Sequence, residues 1–443
     1  GGSAGTSSSA NGDASGLNIS ASTINFNYYT TSSVLASAMS LPLEKKTGKV
    51  AWHTTNIQRS GYATPVLTNI DGKRAALVFY GRTVVAHDLT AKGKILFQHQ
   101  WKTSYNVNAS NPQYHDGKVF FASGYGMGYA VLDVTGASPK ILHRDQDIRM
   151  IFQNSIRTGN TITGVFGDKR IDAELMRMDI ATGKIHWQLD LHTDLKFKKP
   201  SWGFTSAPLV QDDCLFLNAG SHGIAINKAT GKALWQSGDN DAAYATPEPV
   251  QLGDTGALIV FGPESCSAVI AETGKALWEI PWKTKYKVNA AQPIIADNEM
   301  FLSSAYGFGG ALFTISDKGA KEVWRNQAME NHFNTCVLIG EHLYGISGTT
   351  ADKCLLKCIA WKTGKTLWQQ KGVGMGSIIA AKDQLVVLTD RGELIFAPAS
   401  PASFSPNYRT QILGGKCWTP PAIADGHLYA RNSRGDVVAV KLP

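Results

Sequence analysis

Eleven histidines and six cysteines are spread through 443 residues in a way that gives little to covalent or metal chemistry. No Cys-x-x-Cys, His-x-His or His-Glu-x-x-His occurs, so no zinc or dithiol motif is written locally. Cys354 and Cys358 fall in one expected strand, where four extended residues span roughly 13 Å, too far for them to bond each other. A disulfide from a single cysteine such as Cys336 to a neighbouring unit stays open. No Ser/His/Asp phrase of known spacing marks a hydrolase, although such a triad can assemble from distant segments. What recurs instead, at intervals near 45 residues or twice that, is a set of aromatics and amides with one histidine and one lysine: Tyr62, Asn108, Gln153, Trp202, Tyr244, Asn289, His332, Asn334, Lys416 and Trp418. Aromatic faces with a few convergent hydrogen-bonding groups are the expected lining of a small-molecule site.

What places them is a repeat. Thr-Gly-Lys begins at Thr47, Thr182, Thr230, Thr273 and Thr363, with gaps of 135, 48, 43 and 90 residues. Weaker copies, Lys92-Gly93-Lys94, Thr135-Gly136 and Asp317-Lys318-Gly319, fill the holes. A tryptophan follows in most copies, at Trp52, Trp187, Trp235, Trp278, Trp324 and Trp368, and Phe97 and His143 take that slot elsewhere. A period of 40 to 50 residues suits propeller blades or solenoid repeats. Each period holds three short apolar runs divided by Asp, Gly, His or Asn, then a fourth after the Thr-Gly-Lys turn, as in "SAPLVQDDCLFLNAGSHGIAINKATGKALW", residues 206 to 235. Runs of that length and spacing read as strands, and no window sustains a helical period. Four strands per period make a four-stranded antiparallel blade, the glycine supplying the positive φ of a tight hairpin. The tryptophan is expected to pack between adjacent blades.

In such a ring the first strand of each blade lines the central channel, and the loop leading into it sits near the axis. That geometry selects the ten residues above. The competing expectation is that they seal the channel and satisfy buried backbone groups. Nine innermost strands can be counted, beginning near residues 62, 108, 152, 204, 245, 290, 334, 376 and 418. The last group has three strands, and "GKVAW" near residue 50 is the natural donor of a fourth, closing the ring between the two ends of the chain. A larger duplication overlies the repeat. "WKTSYNVNASNP" (101–112) matches "WKTKYKVNAAQP" (282–293), and "FFASGYGMGYAVL" (120–132) matches "FLSSAYGFGGALF" (301–313), both at an offset of 181 residues, or four blades.

Composition bounds the rest. A chain with 43% hydrophobic residues can bury a large core, and the continuous repeat argues for one ring over 47–443 rather than several domains. Residues 1–16, rich in Gly, Ser and Ala, read as a flexible leader, and 17–46 as irregular, a degenerate blade portion at most. No apolar stretch is long enough to span a membrane as a helix. The net charge is +8, with a pI near 9.0, but the basic residues are scattered apart from "KFKK" (196–199) and "KTKYK" (283–287), so nucleic acid is not an expected partner.

The Asp/Lys-x-x-Thr-Gly-Lys-x-x-Trp phrase, recurring in four-stranded units, resembles the pyrroloquinoline-quinone-type propeller repeat. Quinoprotein dehydrogenases carry it, and so do the non-enzymatic BamB-like proteins. "SWGFTSAPLV", "AYATPEPV", "WKTKYKVNAAQPI", "NHFNTCVLIGEHLYG" and "GGKCWTPPAIADGHLYARN" are similar to stretches of bacterial extracytoplasmic members. The resemblance covers about 47–443 and implies an all-β propeller, normally of eight blades, which is the number expected here. It further implies an extracytoplasmic location, periplasmic or secreted. The function expected is that of a binding scaffold presenting loops and a central funnel to a protein, peptide or glycan partner in the cell envelope, with no cofactor and no metal. The alternative is a quinoprotein alcohol or sugar dehydrogenase. The resemblance implies that such an enzyme would hold the quinone against a tryptophan floor (Trp202 or Trp418), with Ca²⁺ and a basic Asp. Its alcohol-oxidising members also use an adjacent cysteine pair, which this sequence lacks. The carboxylate nearest the expected funnel is Glu330.

Overall fold

A computed structural model describes residues 63, 65–150, 154–167, 174–201, 204, 206, 208–238, 242–418, 420–424, 427–432 and 437–441. Among them the chain is all-β, with a single 3₁₀ turn at Ser104–Asn106. Eight sheets have four antiparallel strands each. In chain order they occupy residues 66–100, 113–145, 156–190, 209–236, 248–281, 294–326, 337–370 and 377–411, and are called sheets 1 to 8 here. A three-stranded group over 422–441 follows as sheet 9. Within each sheet, neighbours in sequence are neighbours in space, the meander expected of a propeller blade. Trp52 and the strand expected near residue 50 lie outside the described residues. Each first strand begins one to five residues later than expected, for example at Val66 rather than 62 and at Ile294 rather than 290. The displaced residues bond across to the next sheet instead of along their own ladder: Ala63 N donates to Asn108 O at 3.0 Å, and Tyr244 N to Asn289 O at 3.1 Å.

Sheet 4 shows why these residues form these elements. Leu209–Gln211, Cys214–Leu217, Ile224–Asn227 and Ala233–Gln236 are its strands, joined by tight turns. Asn227 Oδ1 accepts from Ala229 N, Thr230 N and Thr230 Oγ1, so the turn carries its own cap before Gly231. Asp88 and Asp179 do the same in their turns, and the hydrogen bonds they accept hold their carboxyls below the usual range. Gly231 then takes φ +72°, and the register slips by one between the third and fourth strands.

The glycine has a second reason to be there. A Cβ on Gly231 would lie 2.5 Å from Trp187 of the preceding sheet, and one on Gly274 would lie 2.4 Å from Trp235. Gly364 stands the same way to Trp324, and Gly183 to His143. Trp187, Trp235 and Trp324 lie against the glycine turn of the next sheet, and the indole Nε1 donates to a carbonyl of the following sheet in five cases: Trp187 to Lys228 O (3.1 Å), Trp235 to Ala271 O (2.9 Å), Trp278 to Ser316 O (2.7 Å), Trp324 to Trp361 O (2.7 Å) and Trp368 to Ser400 O (2.8 Å). Trp187, Trp235, Trp278, Trp324 and Trp368 thus each bond across to the following sheet. Apolar clusters fill the interfaces between consecutive sheets: Leu77, Phe79 and Phe121 join sheets 1 and 2, Phe261, Trp282 and Phe313 join sheets 5 and 6, and Leu388, Leu394 and Leu428 join sheets 8 and 9.

Two outcomes follow for stability. Trp235→Ala is expected to destabilise by about 3 kcal/mol, the lower part of the range for Trp→Ala because the ring edge is half-exposed. Gly274→Ala should cost about 1–3 kcal/mol from its left-handed backbone and the overlap with that indole. Thermal and denaturant midpoints check both, and a Gly274→Ala protein as stable as wild type would remove the brace from the account. His87 supplies a pH dependence. It is fully buried, donates from Nδ1 to Gly93 O (3.1 Å) and accepts from Tyr80 Oη (3.0 Å). Burial pushes its pKa down from 6.5 to about 4. A base whose folded pKa is lowered contributes its full stability above pH 6.5 and loses it as pH falls towards 4, here roughly 3 kcal/mol. His87→Gln should flatten the fall in melting temperature across that interval.

Candidate functional site

Antiparallel meandering fixes which loops share a face. The first-to-second and third-to-fourth turns, including the Thr-Gly-Lys turns at Thr182, Thr230, Thr273 and Thr363, lie on one side. The second-to-third hairpins and the loops leading into each first strand lie on the other. The seven sequence-selected residues that are described, Asn108, Tyr244, Asn289, His332, Asn334, Lys416 and Trp418, lie in loops of this second face.

The structure divides them. Tyr62, Gln153 and Trp202 lie outside the described residues. Asn108 and Asn289 are 0% exposed, and their amides are spent on the frame. Asn108 Nδ2 donates to Tyr80 O (2.8 Å) and Trp101 O (3.2 Å), while its Oδ1 accepts from Ser123 Oγ (2.6 Å). Asn289 Nδ2 reaches Gly262 O (2.8 Å), and its Oδ1 accepts from Ser304 Oγ (2.8 Å). Trp101 and Trp282 close the two networks by donating to Ser123 Oγ (3.1 Å) and Ser304 Oγ (2.9 Å). The duplication seen in sequence is thus a duplicated brace, capped in each copy by a guanidinium over the indole, Arg144 over Trp101 and Arg325 over Trp282. Asn218 plays a similar part between sheets 4 and 5, bonding Ala245 O and Phe261 O at 2.9 Å each. Asn334 is buried and donates to Gly376 O, and Tyr244 is half-buried in the belt of inter-sheet bonds.

His332, Lys416 and Trp418 do come together, with partners that the sequence reading missed. Tyr286, Tyr306, His332, Phe333 and Trp418 form a continuous arc with successive ring centroids 4.8, 5.1, 5.0 and 5.6 Å apart. The arc runs from the loop before sheet 6, over the second-to-third hairpin of sheet 6 and the loop into sheet 7, to the loop into sheet 9. Tyr306 Oη bonds His332 Nε2 at 2.9 Å. His332 Nδ1 is enclosed without a partner among the described residues, and burial lowers the ring's pKa. Tyr286 is 53% and Trp418 40% exposed. A lysine caps each end, Lys285 Nζ 5.3 Å above the Tyr286 ring and Lys416 Nζ 4.3 Å above Trp418. Beside Phe333 and Trp418 opens a cleft of about 330 Å³, with Asn334, Thr335, Ser377, Ile378 and Pro420 also in its walls. Tyr306 sits at φ +63°, as its duplicate Tyr125 does at +56°. A Tyr-Gly pair in both copies of the hairpin was the available signal, since a bulky residue adopts that backbone region only at a cost.

Groups with catalytic potential are placed otherwise. Ser267 Oγ, His222 and Glu279 line up, with 2.8 Å from Oγ to Nδ1 and 3.9 Å from Nε2 to the carboxylate. Ser267 is fully buried, however, and it is the carboxylate end that faces solvent, the reverse of what an attacking serine needs. All six cysteines are free, so the disulfide left open for Cys336 does not form. Among the described residues no cluster of three or more His, Cys, Asp or Glu could hold a metal. Glu330, the carboxylate nearest the arc, accepts from Gly307 N at 3.1 Å. The oxygen cage that Ca²⁺ requires is not offered by these residues, nor is an adjacent cysteine pair, so quinone with Ca²⁺ does not fit the described part of this face.

Residues 31–189 and 169–370 match the family described as outer membrane protein assembly factor BamB. The chain belongs to that family. Among solved structures, BamB from Moraxella catarrhalis superposes with a TM-score of 0.51 at 13% identity, over 85% of this chain and 96% of that one. A europium-containing methanol dehydrogenase gives 0.49 at 13%, covering 88% and 84%, and a quinohemoprotein alcohol dehydrogenase from Comamonas testosteroni 0.48 at 12%, covering 84% and 70%. No curated protein sequence matches the chain. The superposition on BamB shows the β-propeller fold. A shared fold does not fix function, so the site must speak for it.

The duplicated amide brace predicts that Asn289→Ala destabilises by about 2–4 kcal/mol, because Gly262 O and Ser304 Oγ lose a buried partner. Trp418→Ala, exposed and outside that network, should change stability by no more than about 0.5 kcal/mol. Equal losses in the two variants would break the division between frame and arc.

Proposed function

We propose that this BamB-family chain is a non-catalytic binding propeller of the cell envelope, holding a partner on the face that carries the lead-in loops. One observation carries the reading. Among the described residues three of the five exposed large aromatic side chains, Tyr286, Tyr306 and Trp418, gather into one arc with Lys285 and Lys416 over its end rings, while Asn108, Asn289 and Ser267 are enclosed as structure. Rigid scaffolds with functional loops bind in this way, and aromatic anchors are the residues from which binding energy mostly comes. An extracytoplasmic setting, periplasmic or secreted, is supported by the family's description as an assembly factor for outer membrane proteins. Among the described residues no helix is long and apolar enough to cross a membrane.

The competing reading, a pyrroloquinoline-quinone-dependent alcohol or sugar dehydrogenase, has one feature in its favour, the exposed indole of Trp418 beside a cleft. The same cleft has no carboxylate in its walls to serve as base. Two measurements separate the readings. Supplied with the quinone, Ca²⁺ and a panel of alcohols and sugars, the protein is expected to show no dye-linked oxidation, and stoichiometric quinone binding with turnover would overturn the proposal. Immobilised wild-type protein should retain an envelope component that Trp418→Ala does not. Equal retention by the two would remove the arc from the binding face.

A further inference from the structure

We infer that the arc from Tyr286 to Trp418 binds an acidic oligosaccharide, a chain of sugars bearing carboxylates. This rests on the reading as a binding propeller and specifies its ligand. Charge is the first reason. Lys285 and Lys416 stand at the two ends of the arc and neither has an ion-pair partner among the described residues; each ammonium is parked over a ring. Of the other charges nearby, Glu264 pairs with Lys283 and Lys287 and Arg325 with Glu322, while Glu330 accepts from Gly307 N and is one carboxylate against the two lysines. The chain carries +8 overall. An anion approaching either end meets an ammonium held over the face of an aromatic ring. Two such ends joined by rings suit a ligand with repeated negative groups along an amphiphilic body.

Sugar suits that body better than peptide. An extended peptide gains affinity by adding to a free strand edge, with side-chain pockets at alternate residues. On this face the lead-in backbone bonds from sheet to sheet, as in Gln292 N to Thr335 Oγ1 (3.0 Å) and Thr246 N to Gln292 Oε1 (3.2 Å). The rings instead form a row, and the cleft at its end is lined by the rings of Phe333 and Trp418 together with the polar residues Asn334 and Thr335. Such a cleft matches a sugar ring, with its C–H face and hydroxyl rim. His332 Nδ1, enclosed and unpartnered, adds a hydrogen-bonding atom beside Phe333 that a hydroxyl could complete.

The experiment titrates the full chain with a hexameric polyuronate, a neutral hexaglucan and hexaglutamate, followed by tryptophan fluorescence and calorimetry. The polyuronate is expected to bind, to perturb the emission of Trp418, and to weaken as salt rises. Replacing both lysines (Lys285→Gln with Lys416→Gln) should weaken it about tenfold, with an unchanged melting temperature because neither lysine braces the fold. The neutral glucan should bind at least about tenfold more weakly, and hexaglutamate not at all. Absent polyuronate binding, binding indifferent to the lysine pair, or equal affinity for hexaglutamate would each overturn the inference. Failure of this kind, with no quinone turnover and with an envelope component still held through Trp418, would leave the binding-propeller reading standing and reject only the glycan.

Discussion

An indole laid across the glycine turn of the next sheet is the contact on which this architecture depends. A single four-stranded sheet of about 30 residues has two faces to bury and cannot do so alone. The Trp187–Gly231 and Trp235–Gly274 contacts join the outer strand of one sheet to the outer turn of the next, and the indole Nε1 completes the join with a hydrogen bond. The glycine is constrained twice, by a left-handed backbone and by a ring where its Cβ would be. One short phrase therefore encodes a turn and a packing surface together, which is why it can be repeated along the chain with so little else held constant.

The axis side is fastened differently. There the sheets do not share a ladder, and side-chain amides reach across. Asn108, Asn218 and Asn289 each take carbonyls from adjoining segments, and in the first and third a serine and a tryptophan complete the set. Burying an amide is tolerable only when its donors and acceptor are all engaged, and these are. Outer indoles and inner amides thus clamp sheets 4 to 5 and 5 to 6 at both edges, Trp235 with Asn218 and Trp278 with Asn289.

Fold was legible in the sequence because its determinants are local and periodic. Thr-Gly-Lys-x-x-Trp names a turn and a brace within six residues, and alternating apolar runs name the strands. The site was legible only in part. Asn108, Asn289, His332 and Trp418 occupy comparable places before first strands, and nothing local says which point across the sheet interface and which point out. That difference arises in three dimensions: Asn289 finds Gly262 O and Ser304 Oγ within reach, whereas Trp418 finds Phe333 and Lys416 and remains at the surface. Tyr286 and Tyr306 went unnoticed because they precede no strand; one lies mid-loop and the other in a hairpin. Phe333 stands between two selected residues, His332 and Asn334, and nothing in its local sequence separates a surface ring from a core one.

The hairpin tyrosines bear on why the arc exists. Tyr125 and Tyr306 hold φ values of +56° and +63°, where asparagine or glycine would sit with less strain. Both are 40% exposed, so packing does not account for them. In the later copy the ring meets Tyr286 on one side and His332 on the other, and its hydroxyl fixes the imidazole. The hairpin is thereby the keystone between the loop before sheet 6 and the loop into sheet 7. Local strain in a bulky residue persists where the surroundings over-determine it, and strain of this kind concentrates at binding sites. Here the surroundings are a rigid double-clamped sheet below and a row of rings beside it. A Tyr-Gly turn costs stability that Asn-Gly would retain, and the one visible return is an ordered aromatic row open to solvent between two lysines.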